Sequence, residues 1–405
     1  MVILTIMHQR CVLYTCTCSA CPRNLPMKLN PSLLALMLCV TALALPSAEA
    51  QNETKKVSKP RPHAHAKIVK KPASKLPAKR AVRHGAEEAE FTNFNQWRAV
   101  GEFIDEMQTE HGFERDSLRE LFAKVHYLDS VVKLINPPPA GTVKNWTVYR
   151  SRFIEPRRLR AGVTFWNRYA QELDRAQREF GVPAEIIIGI LGVETLYGQS
   201  TGKFRTVDSL TTLAFAYPET PNRPQRMQYF RNELKQVLLY SRESGIDPLS
   251  LTGSFAGALG WPQFMPGSIR KFAVDFDGDG KIDLRRSPVD AIGSVASFLA
   301  QHGWQNGQPM VFPVKVTPDA GWGSLIGQGL EAKFSREQLQ QAGVVIPDDL
   351  PAINYGLIDL ENGGSPTMYV VGTNNFFAIT QYNRSYYYAM AVIELGQAIS
   401  QQRTR

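Results

Sequence analysis

The stretch Gly181-Val182-Pro183-Ala184-Glu185-Ile186-Ile187-Ile188-Gly189-Ile190-Leu191-Gly192-Val193-Glu194-Thr195-Leu196-Tyr197-Gly198 decides how this chain is read. Pro183 suits the first turn of a helix and Gly198 a C-terminal cap, so the segment is expected to be one buried helix. Ile187, Ile190, Leu191 and Glu194 fall on a single stripe, and a carboxylate therefore emerges from an apolar face. It also lies near the helix C-terminus, where the macrodipole disfavours negative charge. Both effects push its pKa upward, as a general acid working near neutral pH requires. The competing explanation of such an acid is a paired arginine, for example Arg205, joining two elements.

Around this helix the chain reads as mostly helical. Phe91, Phe94, Trp97, Phe103, Ile104 and Met107 recur at three- and four-residue spacing, as do Leu118, Leu121, Phe122 and Val125. Pro137-Pro138-Pro139 interrupts, and Trp166, Tyr169 and Leu173 restart a helical stripe that should end near Gly181. Segments 308–316 and 367–371 have the β-branched character of short strands. The expected fold class is mainly α (α+β), with the β portion toward the C-terminus. No stretch is apolar for long enough to suggest several membrane spans.

The net charge of +9 over 405 residues is unevenly placed. Residues 51–86 hold eleven Lys/Arg and one acid, whereas residues 87–405 carry a net −3. The basic character belongs to a tail, so no nucleic-acid partner is expected. Rich in Lys, Pro, Ala and His with almost no large apolar residue, 51–86 reads as a disordered linker. It serves either as a solvated spacer or as an adhesive to an anionic cell-wall or membrane surface. Upstream, Met27-Lys28-Leu29-Asn30, the apolar run Leu33 to Leu45 and Ala48-Glu49-Ala50 have the parts of a signal peptide within residues 1–50, with Met27 the better initiator than Met1. All five cysteines (Cys11, Cys16, Cys18, Cys21, Cys39) lie in that leader. A lipid anchor at Cys39 is disfavoured because Leu38 precedes it. Export to a bacterial periplasm as a thiol-free chain is the consistent expectation.

Three blocks carry a resemblance. Gly192-Val193-Glu194-Thr195 is followed by Gly202-Lys203 and Leu210-Thr211-Thr212-Leu213-Ala214-Phe215-Ala216-Tyr217-Pro218. The second block is Gly253-Ser254-Phe255-Ala256-Gly257-Ala258-Leu259-Gly260-Trp261-Pro262-Gln263-Phe264-Met265-Pro266. The third is Asn375-Phe376-Phe377-Ala378-Ile379-Thr380-Gln381-Tyr382-Asn383, running into Tyr388-Ala389-Met390-Ala391. Together, over roughly 90–400, they resemble the family 3 lytic murein transglycosylases of the membrane-bound lytic transglycosylase B type. The resemblance implies a lysozyme-like helical core with additional helical and small β-containing subdomains, a catalytic region over 87–405, and no catalytic cofactor. It implies Glu194 as the single acid/base, with Ser254 and Gln263 on the sugar near the cleavage site. Tyr149, Tyr217, Tyr229, Tyr382, Asn383 and Tyr388 would line the groove. The implied partner is the peptidoglycan glycan strand, cut by a monomer.

Asp275-Phe276-Asp277-Gly278-Asp279-Gly280-Lys281-Ile282-Asp283 matches the first nine positions of an EF-hand loop, with Gly280 at the sharp turn and Lys281 offering its carbonyl. Position twelve is Arg286 in place of a bidentate Glu. The resemblance supplies a longer loop, over 275–290, closed by Asp290, so Asp275, Asp277, Asp279, Lys281, Asp283 and Asp290 are the expected ligands of a structural calcium ion. Two other functions stay open. A hydrolytic muramidase would need a water-activating carboxylate such as Glu155 or Asp208, and a non-catalytic peptidoglycan-binding scaffold would keep the groove without turnover.

Overall fold

The computed structural model describes residues 94, 97–139, 141–347 and 349–404. The leader, the signal segment and the basic linker fall outside the described residues, as does Phe91.

The expected central helix is present as α7 (Ala184–Thr195). Ile186, Ile187, Ile188, Ile190 and Leu191 are all fully buried, as an all-round apolar helix must be. Pro183 sits one residue ahead of the helix as its N-cap. At the other end the expectation is corrected: the helix stops at Thr195, three residues before Gly198, and Leu196 is the cap, left-handed at φ 51°. The Leu196 and Tyr197 N–H groups close this end on the carbonyls of Gly192 and Leu191.

Before α7 come α1 (Arg98–His111), α2 (Arg115–Ala123), α3 (Asp129–Ile135), α4 (Trp146–Ser151), α5 (Pro156–Arg168) and α6 (Ala170–Phe180). The stripe expected from Trp166 to Gly181 is split between α5 and α6, because Tyr169 leaves helical geometry at φ −116°, ψ 31°. After α7 come β1 (Phe204–Arg205), α8 (Thr206–Phe215), α9 (Arg223–Ser244), β2 (Thr252–Gly253), α10 (Pro266–Phe272) and α11 (Pro288–Gln301). The C-terminal part holds β3 (Val311–Val316), α12 (Arg336–Gln341), β4 (Val344–Val345), β5 (Gly356–Asn362), β6 (Ser365–Gly372), α13 (Asn374–Tyr382) and α14 (Tyr386–Arg403).

Helix α14 packs along α7. Glycines make the approach close: a Cβ on Gly189 would lie 2.2 Å from the Val392 carbonyl oxygen, and one on Gly396 2.2 Å from that of Glu185. The four larger-sheet strands run in the antiparallel order β4-β3-β6-β5, with Val311 and Gly356 each opposite Gly372. Strands β3 and β6 match the expected segments, whereas β4 and β5 add two that the sequence reading left out. Alternation across the pleat divides the burial: Ile358, Leu360 and Val370 join the main helical core, and Leu357 and Val371 join a small second core with Leu339 of α12. The sheet thereby carries α13 and α14 back to α7.

Candidate active site

Glu194 occupies the last turn of α7 and keeps a partly exposed edge. Burial pushes its carboxyl from the ordinary 4.5 up to about 7, and the hydrogen bond from Tyr388 pulls the other way. Tyr388 stands at the start of α14, capped by Ser385, and its hydroxyl donates to Glu194 Oε1 at 2.6 Å. Only 2% of Tyr388 is exposed, so this donor is locked by packing. Arg205, the competing partner, is engaged elsewhere: it forks onto Asp208, with Nε on Oδ2 at 2.9 Å and Nη2 on Oδ1 at 2.7 Å. Among the described residues no arginine or lysine forms an ion pair with Glu194.

Tyr382 stacks on Tyr388 with centroids 6.3 Å apart and planes at 16°, and its hydroxyl donates to the Pro262 carbonyl. Tyr149 stacks on Trp146 and meets Tyr387 edge-on at 5.6 Å. Burial, then the Glu194 charge, raise the Tyr149 phenol to about 12, which places that ring within the carboxylate's field. Gln263 follows the Trp261–Pro262 step in a left-handed conformation, φ 51°, and both protons of its amide go to backbone, Thr201 O at 3.1 Å and Gly260 O at 2.9 Å. Ser254 Oγ accepts the Ala258 N–H at 3.0 Å within the neighbouring turn. That turn is held against Gly202, where a Cβ would lie 2.0 Å from the Gly253 carbonyl oxygen. Asn383 caps α13, and its Oδ1 has no hydrogen-bond partner among the described residues.

A hydrogen bond and a ring stack thus join Glu194, Tyr388 and Tyr382, while Tyr149 lies within the Glu194 field and Gln263 follows Pro262, on which the Tyr382 hydroxyl bonds. Tyr217 and Tyr229 form a second group around Arg226, whose guanidinium lies 5.6 Å from each ring. Tyr217 is buried there, its hydroxyl accepting from Arg226 Nε at 3.2 Å. Thr195, Trp261 and Tyr387 also shape the site and were missed from sequence. Thr195 and Trp261 lie inside the quoted blocks, but nothing in a linear pattern separates a tie from ordinary packing.

In the loop ahead of α11, Asp275, Asp277 and Asp279 place one carboxylate oxygen each within 4.8 Å of one another. Gly278 and Gly280 supply positive φ at the bends. Asp290, 1% exposed, closes the loop through backbone: Oδ1 accepts from Phe276 and Asp277, and Oδ2 from Asp283 at 2.8 Å. The structure gathers neither Asp283 nor Asp290 into the cluster of three.

Replacing Tyr388 by phenylalanine removes the only hydrogen bond that, among the described residues, lowers the Glu194 pKa. The alkaline limb of the kcat profile is therefore expected to move to higher pH, with kcat down about tenfold. A pH–rate profile with an unmoved limb would contradict this.

The "Transglycosylase SLT domain" family model matches residues 93–397. The membrane-bound lytic murein transglycosylase B of Escherichia coli strain K12 is 42% identical over 312 residues, covering 75% of this chain and 83% of the relative. Among solved structures, the soluble lytic transglycosylase SltB1 of Pseudomonas aeruginosa is 44% identical, with a TM-score of 0.69 over 76% of this chain and all of that one. The Escherichia coli lytic transglycosylase Slt35 in complex with calcium is 42% identical, with a TM-score of 0.68 over 77% of this chain and 96% of that one. A half-buried acid held by a tyrosine in a helical core thus coincides with agreement in family model, sequence and fold, and the chain belongs to the family 3 lytic murein transglycosylases, enzymes that cleave peptidoglycan.

Proposed function

We propose that Glu194 works alone, first as acid and then as base, on the β-1,4 bond between N-acetylmuramic acid and N-acetylglucosamine. It protonates the glycosidic oxygen, and the bond from that oxygen to C1 of the muramyl residue breaks. The oxocarbenium-like charge is supported by the sugar's own N-acetyl group. The Glu194 carboxylate then takes the proton of the C6 hydroxyl as that oxygen bonds to C1. A 1,6-anhydromuramyl end results, and no water is consumed. Within the same proposal Ser254, Gln263, Tyr149, Tyr382, Asn383 and Tyr388 hold the sugars near the cleaved bond, and Tyr217 and Tyr229 line the groove. Tyrosine suits this work, because its ring covers apolar C–H faces while its hydroxyl reaches a polar edge.

The observation that carries this reading is the half-buried Glu194, its carboxyl raised by burial to about 7 and held by the fixed Tyr388 donor. A group with that pKa is populated in both protonation states near neutral pH, as successive acid and base roles demand. The two carboxylates that a hydrolytic mechanism would recruit are engaged. Glu155 caps α5, its oxygens accepting from Arg157 and Arg158 N–H at 2.7 Å each. Asp208 is bound by Arg205 and by the His126 N–H at 3.1 Å. Mass spectrometry of peptidoglycan digested by the protein is expected to find anhydromuramyl ends. Reducing muramyl ends would replace this reading with the muramidase, and glycan binding without products would replace it with the scaffold.

A structural calcium ion belongs to the same proposal. The donors are all oxygens, which suits a hard cation, and the cluster of three carboxylates together with the calcium complex of a relative supports the fit. Asp275, Asp277, Asp279, the Lys281 carbonyl, Asp283 and Asp290 would hold the ion and stiffen the loop ahead of α11. Calcium at a hundredfold excess over its Kd is expected to raise Tm by about 5 °C, an effect reversed by EGTA and lost in Asp277→Asn. An unchanged Tm would leave a solvated acidic turn.

The cell-wall substrate of the relatives supports export to the bacterial periplasm, by a signal segment ending near Ala50. The described residues contain no helix long and apolar enough to cross a membrane. Residues 51–86 would then link the catalytic region, 87–405, to an anionic wall or headgroup surface, the protein acting as a monomer.

A further inference from the structure

Glu194 is tied to one turn of the chain by two separate routes. Through its side chain it accepts from Tyr388, which stacks on Tyr382, which in turn donates to the carbonyl of Pro262. Through its backbone it is joined to Thr195, whose hydroxyl donates to the carbonyl of Trp261 at 2.9 Å. The two routes end on adjacent residues, and the next one is Gln263.

Thr195 is 1% exposed, and its hydroxyl, 3.5 Å from the Leu191 carbonyl within its own helix, makes two shorter bonds outside it. It gives its proton to Trp261 and accepts the Gly198 N–H at 3.0 Å. That second bond spans a strained segment: Leu196, Tyr197 and Gly198 have φ of 51°, 57° and 77°. A non-glycine residue held there is strained and persists only where its surroundings over-determine it. Trp261 is part of those surroundings, since a Cβ on Gly198 would lie 2.5 Å from the indole. Gln263 is itself left-handed at φ 51°. Two strained backbones therefore face each other, and the Thr195 hydroxyl pins one to the other.

We infer that Thr195 is a positioning residue for the reaction: its hydroxyl fixes the end of α7 against the Trp261–Gln263 turn and so sets the angle at which Glu194 meets the sugar. The inference rests on Glu194 being the acid. Valine copies the branched shape of threonine without the hydroxyl, leaving the half-buried Gly198 N–H and Trp261 carbonyl without this partner. Serine keeps the hydroxyl and loses only the methyl group. An acid displaced by about 1 Å is expected to lose about 100-fold in rate.

The experiment measures kcat and KM against pH on soluble N-acetylglucosamine–N-acetylmuramic acid oligosaccharides, with Tm, for the parent, Thr195→Val, Thr195→Ser and Glu194→Gln. Thr195→Val is expected to lower kcat about 100-fold with KM within about twofold, and to displace the alkaline limb of the kcat profile. Thr195→Ser is expected to keep kcat within about threefold and the limb in place. A loss confined to KM in the valine variant, or a serine variant that loses kcat about 100-fold, overturns the inference. If the valine variant does not fold, the serine variant decides alone, by kcat and limb. Activity surviving in Glu194→Gln would overturn the assignment of the acid instead, so the two failures are distinguishable.

Discussion

Glu194→Gln is expected to lower turnover on peptidoglycan by roughly 10⁴-fold, with binding of glycan strands retained. The amide matches the carboxyl in size and still accepts from Tyr388 through its oxygen, but it cannot deliver a proton at the start or remove one at the end. The parent should lose activity as pH rises above about 7, because the first step needs the protonated form. Stability has its own sign. The folded pKa is raised above the unfolded value of 4.5, so the native state binds the proton more tightly. The stability that this preference contributes is fully present below pH 4.5 and is lost as pH rises through about 7. Relative to the parent, Glu194→Gln should therefore gain stability over that window, since glutamine has no charge to desolvate. Unfolding curves at pH 4 and pH 8 alongside turnover measurements test both halves. A variant that keeps the parent's turnover would remove Glu194 from the chemistry.

Gly189→Val is expected to be the most destabilising single change in the central helix, by about 3 kcal/mol or more. The new β-carbon would lie 2.2 Å from the carbonyl oxygen of Val392, a backbone atom of α14 that cannot swing aside. The helices would have to separate, and Gly396 against Glu185 shows that the approach is equally tight farther along. Because α14 also carries Tyr388, separation would withdraw the donor from Glu194. Calorimetry should show Tm lowered by about 5 °C, with activity reduced even where the protein is folded. An unchanged Tm would mean that the α7–α14 contact is looser than its glycines indicate.

The site residues differ in how far they could be read in advance. Glu194 was legible because one helix is enough to show an acid on an apolar stripe. The EF-hand-like loop was legible for a similar reason, its carboxylates alternating with glycines over a few residues. Tyr388 could be named only through the resemblance, since its bond to Glu194 joins positions 194 residues apart. Arg205 was equally plausible as a partner from sequence, and its choice of Asp208 depends on where α8 begins. Strand β5 escaped because its Leu-Ile-Asp-Leu run buries residues on both faces of the sheet, which blurs the alternation on which strand reading depends.

Periodicity over a few turns therefore determined, without any coordinates, a mainly helical protein built on a buried helix that presents one acid. Tertiary structure decided the remainder. Gly198 looked like the natural end of that helix because glycine enters left-handed geometry freely. The chain instead turns at Leu196 and Tyr197, where the neighbouring Thr195 hydroxyl bonds to Trp261 from another part of the fold. The reason is one of range: helix propensity and apolar spacing act between neighbours in the chain. The strain at the end of α7, the tyrosine on Glu194 and the raised pKa arise from groups that only packing brings together.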